Sequence, residues 1–424
     1  MRAGDIAHRS CHNLGLGQTK GLMISLEEAC ARILADIGSP DTEIVKLVEA
    51  VGRIAGEAVA SRNQLPAFDQ SAMDGYAVRS QDCASAAPDC PRELALQGRI
   101  EAGDVGQETL LEGQCVRLFT GAALPTGADA VIMQEDTAVN AGEPSQVSIL
   151  HTPKPWENVR LRGEDVQRDT AILAAGQRIG LPHLPLLASQ GLAALSVFRA
   201  PRIGLLATGN ELREPGTPLE PGQIYETNRL MLSCLVRRAG ALPKQYPLVR
   251  DDLESTRAAL QRAMEECDAV VSSGGVSVGD MDFVKPALKE LGGEVGLWKV
   301  SMKPGKPFLY GRVRGKALYG LPGNPVSALV TFVGLVWPAL WRMQGMASNP
   351  WPTRTGVLLE PVSNGGDRRH FMRVSMDPNG RVRLSGLQAS HALGSLAQSN
   401  GLIDVAPRTE WAAGKNVEVL LLDD

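Results

Sequence analysis

The chain has 424 residues, about three times a typical single domain, so two to four compact units are expected. With 44% hydrophobic and 21% charged residues, the composition fits a globular protein and excludes a disordered or membrane-embedded one. Lys+Arg 43 against Asp+Glu 47 leaves a net charge of -4, without the basic excess of a non-specific nucleic-acid binder. Any anion must therefore be held by a local site, and neither nucleic acid nor membrane is an expected partner.

The seven cysteines form no Cys-x-x-Cys and are odd in number, which points to a reducing compartment, and the N-terminus lacks the apolar core of a secretion signal. A cytoplasmic location is expected. Residues 1–22 read as a disordered extension, with Met23 a candidate start. His8, Cys11 and His12 lie in it, but three ligands without a fourth fall short of a closed metal site.

Ser25-Leu-Glu-Glu28 is a capping box, followed by Ala29, Ile33, Leu34 and Ile37 at helical spacing. Residues 23–60 are expected to join 166–198 in a linker domain split in sequence, with the apolar stretch 181–195 packing on the N-terminal helices. Residues 61–165 read as β-rich, with short runs at 115–119, 130–134 and 146–150 between Gly, Pro and Asp turns. From 199 to 345 strand and helix alternate, which predicts a doubly wound parallel sheet. Its strands are expected at 202–208, 245–249, 269–273 and 316–320, with extended pieces at 295–300 and 308–311. Its helices are expected at 227–239, 253–266, 283–291 and 326–343. The apolar run at 326–341 is shorter than the roughly 20 residues of a membrane span and contains Pro338, so it reads as a buried helix. Residues 346–424 are expected to form a small β domain, with a hairpin bending at Asp377-Pro-Asn-Gly380.

Ligands of doubly wound sheets bind beyond the carboxyl ends of the strands. Those positions read Thr208-Gly-Asn-Glu211, Arg250-Asp-Asp252, Ser272-Ser-Gly-Gly-Val-Ser-Val-Gly279 running on to Asp282, and Leu321-Pro-Gly-Asn-Pro-Val-Ser327. Gly274, Gly275 and the neighbouring Ser277 suit a phosphate cradle, because small residues leave backbone donors accessible. Glu211, Asp251 and Asp282 could converge on a divalent cation, or each could be a solvated cap. Lys299, Lys303 and Lys306 fall in a segment stiffened by Pro304 and Pro307, a cationic loop suited to an oxyanion. In the β-rich region, the stretch around Ser71-Ala-Met-Asp74-Gly-Tyr76 looks like a site loop, and Phe119-Thr120-Gly-Ala122 is either a second or a plain connection. Gly275-Val-Ser277-Val-Gly279 also matches Gly-x-Ser-x-Gly, with His370 and His391 downstream, so a serine hydrolase is an alternative.

Taken in order, Ser71-Ala-Met-Asp-Gly-Tyr76, Thr120-Gly-Ala122, Arg162-Gly-Glu-Asp165, Thr208-Gly-Asn-Glu211, Ser272 to Gly279, Lys303-Pro-Gly-Lys306 and Leu321 to Ser327 closely resemble the molybdopterin molybdenumtransferase family, which includes MoeA and the gephyrin E domain. The resemblance is strong over residues 61–345. It implies a central α/β domain similar to MoaB and MogA, and insertion of molybdate into adenylylated molybdopterin with Mg²⁺ and release of AMP. It also implies a homodimer in which the β-rich domain of one subunit, with Asp74 and Thr120, faces the α/β domain of the other, and it leaves room for other molybdenum cofactor biosynthesis proteins as partners. Glu211, Asp251, Asp282, Lys299 and Lys303 would line the α/β cleft, the three acids positioning the cation. Gly274, Gly275 and Ser277 would cradle phosphate, Lys303 and Lys306 would hold molybdate, and Ser327 and Ser395 would add hydrogen bonds. Pro322 and Pro325 would shape their loop. One departure stands out: Arg368-Arg-His-Phe371 carries His370 where relatives usually have an acid. A gephyrin-like scaffold without catalysis is the second alternative.

Overall fold

A computed structural model describes residues 23–104, 109–139, 143, 145–276, 282–346 and 351–422. Ser25 accepts a hydrogen bond from the Glu28 amide (3.1 Å) at the start of helix Leu26–Ala35, as the capping box predicts. Its buried face, Ala29 and Ile33, packs in the same core as helix Pro325–Thr331 and its continuation to Arg342. The 181–195 stretch packs on the N-terminal segment as expected, through the short helix Leu47–Glu49 and in a core other than that of helix Leu26–Ala35. It forms helix His183–Ser189 and strand Ala194–Phe198. The latter pairs antiparallel with Thr42–Lys46 over a separate core of Ala50, Ala55, Leu173, Ile179, Leu187, Leu195 and Val197.

The β-rich region carries a six-stranded sheet in the order Ala130–Met133, Gly75–Val78, Gln114–Leu118, Arg92–Ile100, Gln146–Ile149, Thr137–Val139, beside the short pair Gln70–Ser71 and Val159–Arg160. A second sheet runs Leu242–Gln245, Arg202–Ala207, Ala269–Ser273, Lys316–Leu321, Pro307–Val313, Glu294–Lys299. Its first four strands are parallel and the last two antiparallel, so the sheet is mixed rather than wholly parallel. Ala269–Ser273 is buried along its whole length, as a strand covered by helices on both faces must be. The strand expected at 245–249 lies at Leu242–Gln245. Pro247 has no N–H to continue the ladder, and pairing resumes only at Val249, whose amide donates to the Ala207 carbonyl (3.0 Å).

The C-terminal strands Thr353–Leu358, Arg369–Met376, Arg381–Leu384, Gly401–Val405 and Asn416–Leu421 close on themselves, because Arg369–Met376 pairs with both Arg381–Leu384 and Gly401–Val405. Met302–Lys303, in the segment expected to form a stiff cationic loop, adds parallel to Arg369–His370 at the barrel margin. Two residues at an edge escape the restriction that Pro304 would impose on a central strand. One helix among the described residues, Pro325–Arg342, is long and apolar enough to cross a membrane, and 78% of it is buried inside the molecule.

Candidate active site

Four strand ends of the α/β sheet converge. The Thr208 amide donates to the Ser273 carbonyl (3.1 Å), Gly209 to Val249 (3.2 Å) and Gly274 to Leu321 (3.1 Å). Asn228, at the first turn of helix Asn228–Arg238, lies beneath them and donates to Ser273 Oγ (2.7 Å) and to the Gly323 carbonyl (2.7 Å). Gly274 and Gly275 have φ of +87° and +65°, the left-handed region that favours glycine. A Cβ at Gly274 would come within 2.7 Å of the Thr208 carbonyl oxygen, and one at Gly275 within 2.8 Å of Val284 Cγ2. The loop is therefore closed to side chains, while its backbone lies beside Thr208. Ser277 and the rest of 277–281 lie outside the described residues.

Buried polar atoms without a hydrogen-bond partner gather here: Thr208 Oγ1, Asn228 Oδ1, Ser272 Oγ and both carboxylate oxygens of Asp282. Native interiors pair such groups with protein, water or a ligand, so these atoms are open to a partner at the strand ends, as Tyr319 OH, Thr331 Oγ1, Trp337 Nε1 and Trp341 Nε1 are elsewhere in the core. Burial pushes the Asp282 carboxyl up to about 7, against smaller opposing effects of Lys285 and the Val284 amide. Asp251 is reciprocally bonded to Asn210: the Asn210 amide donates to Asp251 Oδ2 (3.0 Å) and the Asp251 amide to Asn210 Oδ1 (3.2 Å). Glu211 is exposed and folds back over Gly209, where an added Cβ would meet its Oε2 at 2.8 Å. Among the described residues no three His, Cys, Asp or Glu side chains are grouped to hold a metal. The convergence of Glu211, Asp251 and Asp282 expected from sequence is therefore not a ready three-carboxylate cage. Asp251 is already engaged by Asn210, and Glu211 is turned toward its own loop.

Pro322 is buried and Pro325 opens helix Pro325–Thr331, with Ser327 buried in its first turn. The Lys303-Pro-Gly-Lys306 loop packs on this helix, since a Cβ at Gly305 would reach Thr331 Oγ1 at 2.5 Å. Lys303 and Lys306 are exposed, whereas Lys299 is half-buried, with its carbonyl accepting from the Ile24 amide (3.4 Å). On the barrel side, His370 pairs in register with Lys303. Burial, reinforced by Lys303, Arg373 and Arg368, pushes the His370 imidazole down to about 4, so it is neutral at pH 7 among three cations. Arg368 donates to the Met302 carbonyl (3.1 Å). Ser395 is buried, accepting from Arg373 Nε (3.1 Å), with the Leu387 carbonyl 2.8 Å from its Oγ. That arrangement places it in the barrel framework, while Ser390 reaches the Asn324 side chain (3.0 Å).

Asp74 and Thr120 meet each other: the Thr120 amide and hydroxyl both donate to Asp74 Oδ1 (2.8 Å each). These bonds hold the exposed Asp74 carboxyl below the usual carboxylate range. No hydrogen bond among the described residues links 66–160 to 200–422. Sequence reasoning did not single out Asn228, Ser390 or Arg373, and Asn210 stood in the Thr208–Glu211 motif without a role of its own. Asn228 and Arg373 sit inside regular elements, where nothing in the local pattern distinguishes them.

Fold and site define a multidomain α/β protein whose strand-end loops carry glycines and polar side chains, with the Lys303–Lys306 loop packed on the helix that follows one of them. Three family models match it in succession: the MoeA N-terminal region (domain I and II) over residues 24–191, a probable molybdopterin binding domain over 204–342, and the MoeA C-terminal region (domain IV) over 355–422. The molybdopterin molybdenumtransferase of Haemophilus influenzae is 37% identical over 404 residues, covering 94% of this chain and 98% of its own. Molybdopterin molybdenumtransferase 2 of Mycobacterium tuberculosis is 40% identical over 382 residues, covering 88% and 94%. A solved structure of a molybdopterin biosynthesis MoeA protein from Pyrococcus horikoshii superposes with a TM-score of 0.82 at 32% identity, covering 95% of this chain and all of its own. The chain belongs to the molybdopterin molybdenumtransferase family, and with it to the transferases of molybdenum cofactor biosynthesis.

Proposed function

We propose that the chain inserts molybdate into the dithiolene of adenylylated molybdopterin, with Mg²⁺, and releases AMP. The observation that carries this reading is the set of unpartnered buried polar atoms, Thr208 Oγ1, Asn228 Oδ1 and the Asp282 carboxylate, around Gly274 and Gly275. Amides of that loop suit a phosphate, which fits the pyrophosphate end of such a nucleotide. Asp282 suits a cation because a buried carboxylate with few donors gains most from a positive charge. Mg²⁺ commonly takes one or two carboxylates together with substrate phosphates and water, so Asp282 with Asp251, and Glu211 at the margin, is a sufficient protein contribution. When bound, the cation would neutralise pyrophosphate charge.

In this reading Gly274, Gly275 and Ser277 hold the phosphates, and Pro322 and Pro325 keep the 321–327 loop rigid beside them with Ser327 facing the substrate. Lys303 and Lys306, with Lys299 behind them, attract molybdate to a loop where His370 supplies no negative charge to compete. Asp74 and Thr120 act from the β-rich region of a second subunit in a homodimer, which accords with the lack, among the described residues, of hydrogen bonds from the β-rich region to the α/β region. The domain division proposed is 23–60 with 166–198, then 61–165, 199–345 and 346–424. A cytoplasmic location accords with the six described cysteines being free thiols.

The test is AMP release by the purified full chain given adenylylated molybdopterin, Mg²⁺ and molybdate. Release that depends on both the cation and the oxyanion is expected; none would refute the assignment. Mixing Asp74→Asn with Asp282→Asn subunits should restore part of the activity each lacks alone, and no recovery would refute the shared site.

A further inference from the structure

Helix Pro325–Thr331 begins without help from its own cap. Asn324, at the N-cap, makes no side-chain capping bond, and Pro325 has no N–H. The first free amide, Val326, donates instead to the carbonyl of Ser390 (3.2 Å), and Asn324 Nδ2 donates to Ser390 Oγ (3.0 Å). A residue of the C-terminal region thus caps the helix that follows the 321–324 loop.

Ser390 lies in a segment, 385–390, with no helix or strand to hold it. What holds it is Arg373. Arg373 is 1% exposed, and its guanidinium donates to the carbonyls of Leu387 and Ala389 and to Ser395 Oγ, the last two at 3.1 Å. The backbone of Arg373 adds further bonds: its amide donates to Gln388 Oε1 (2.8 Å), and its carbonyl accepts from Gln388 Nε2 and from the Ser385 amide (3.0 Å each). None of these partners is a carboxylate. Burying a guanidinium among neutral groups is costly, and apolar side chains of similar volume often replace buried charges without loss of stability. Such a charge is explained by geometry: one planar group reaches two carbonyls of this segment and the Ser395 hydroxyl of helix Leu393–Ala397, adding to the bonds that Gln388 and Ser395 make with the segment.

We infer that Arg373 is a positioning residue for the transfer site: it fixes 385–390 so that Ser390 caps helix Pro325–Thr331 and sets the 321–327 loop. The inference rests on the reading of that loop as part of the substrate site. The barrel then completes the α/β cleft as well as adding surface to it.

The test uses Arg373→Lys, Asn324→Ala and the double variant in the full chain, read by hydrogen exchange and by steady-state kinetics. In Arg373→Lys the Val326 amide should exchange at least about tenfold faster while amides of Arg202–Ala207 are unchanged. The KM for molybdate should rise about fivefold or more with kcat changed less than about twofold. Because both residues act through Ser390, the double variant should be no worse than the worse single one. Unchanged Val326 exchange, or additive effects on KM, would overturn the inference. Should Arg373→Lys not fold, Asn324→Ala cuts the same link and must show the same rise in KM; an unchanged KM would equally overturn it. The exchange measurement needs no turnover, so an inactive wild type would refute the proposed reaction and leave this inference to be decided separately.

Discussion

Replacing Asp282 by Asn should make the protein more stable at neutral pH and less active. Burial raises this carboxyl from its ordinary 3.8 to about 7. The full gap corresponds to about 4 kcal/mol against the ionised form, and screening at this partly accessible residue reduces it to about 1–2 kcal/mol. A carboxyl raised in the folded state contributes stability that is fully present below its unfolded value. That contribution is lost as pH rises toward the folded value. The penalty in the wild type therefore grows from about pH 4 and is complete above about pH 7, so the amide removes it. Thermal melts in parallel at pH 8 and pH 4 should show the variant higher by about 2–4 °C at pH 8, with the difference vanishing near pH 4. Turnover should fall by about 100-fold or more, because the neutral amide cannot recruit the cation. In the wild type, cation-dependent activity should climb with pH through about 7. A variant less stable than wild type at pH 8, or one with undiminished cation-dependent turnover, would refute the assignment of Asp282 as a buried, donor-poor carboxylate awaiting a cation.

Gly275→Ala should cost about 1–3 kcal/mol in urea unfolding and weaken nucleotide binding, since the site has φ +65° and the new Cβ would meet Val284 Cγ2 at 2.8 Å and Thr208 Oγ1 at 2.9 Å. Asn228→Ala leaves Ser273 Oγ and the Gly323 carbonyl without their donor, and should lower stability by about 2–3 kcal/mol and kcat/KM with it; unchanged kinetics would separate Asn228 from the site. His370→Asp places a carboxylate beside Lys303, Arg368 and Arg373, and should raise the KM for molybdate about tenfold while raising the melting temperature, as measured by oxyanion titration and calorimetry.

Much of this architecture can be traced to local patterns. The Ser25 cap and the strand Ala269–Ser273 are local signals, and the helix Leu253–Glu266 begins where Asp252 accepts from the Ser255 amide (2.7 Å). Glycines after a buried strand likewise marked the loop at Gly274 and Gly275. What stayed hidden depends on residues distant in the chain. Asn228 joins strand ends 45 and 95 positions away, and neither spacing nor composition encodes such a bond. Met302–Lys303 enters a sheet only because the barrel supplies the edge at Arg369. Pro247 was visible, yet its effect on the ladder depended on which neighbour the strand would have. Ser395 and Ser390 are both serines in a polar stretch, and only the guanidinium of Arg373 separates a framework hydroxyl from one at the 321–327 loop.

The central claim, that metal insertion and nucleotide release are one event at the α/β strand ends, is tested most directly by a single-turnover quench. AMP and protein-bound molybdenum would be measured in the same sample after molybdate is added to the enzyme loaded with adenylylated molybdopterin and Mg²⁺. The account predicts equal amounts of the two, appearing together and lost together in Asp282→Asn. Release of AMP at the same rate without molybdate, or molybdenum capture without AMP, would contradict it.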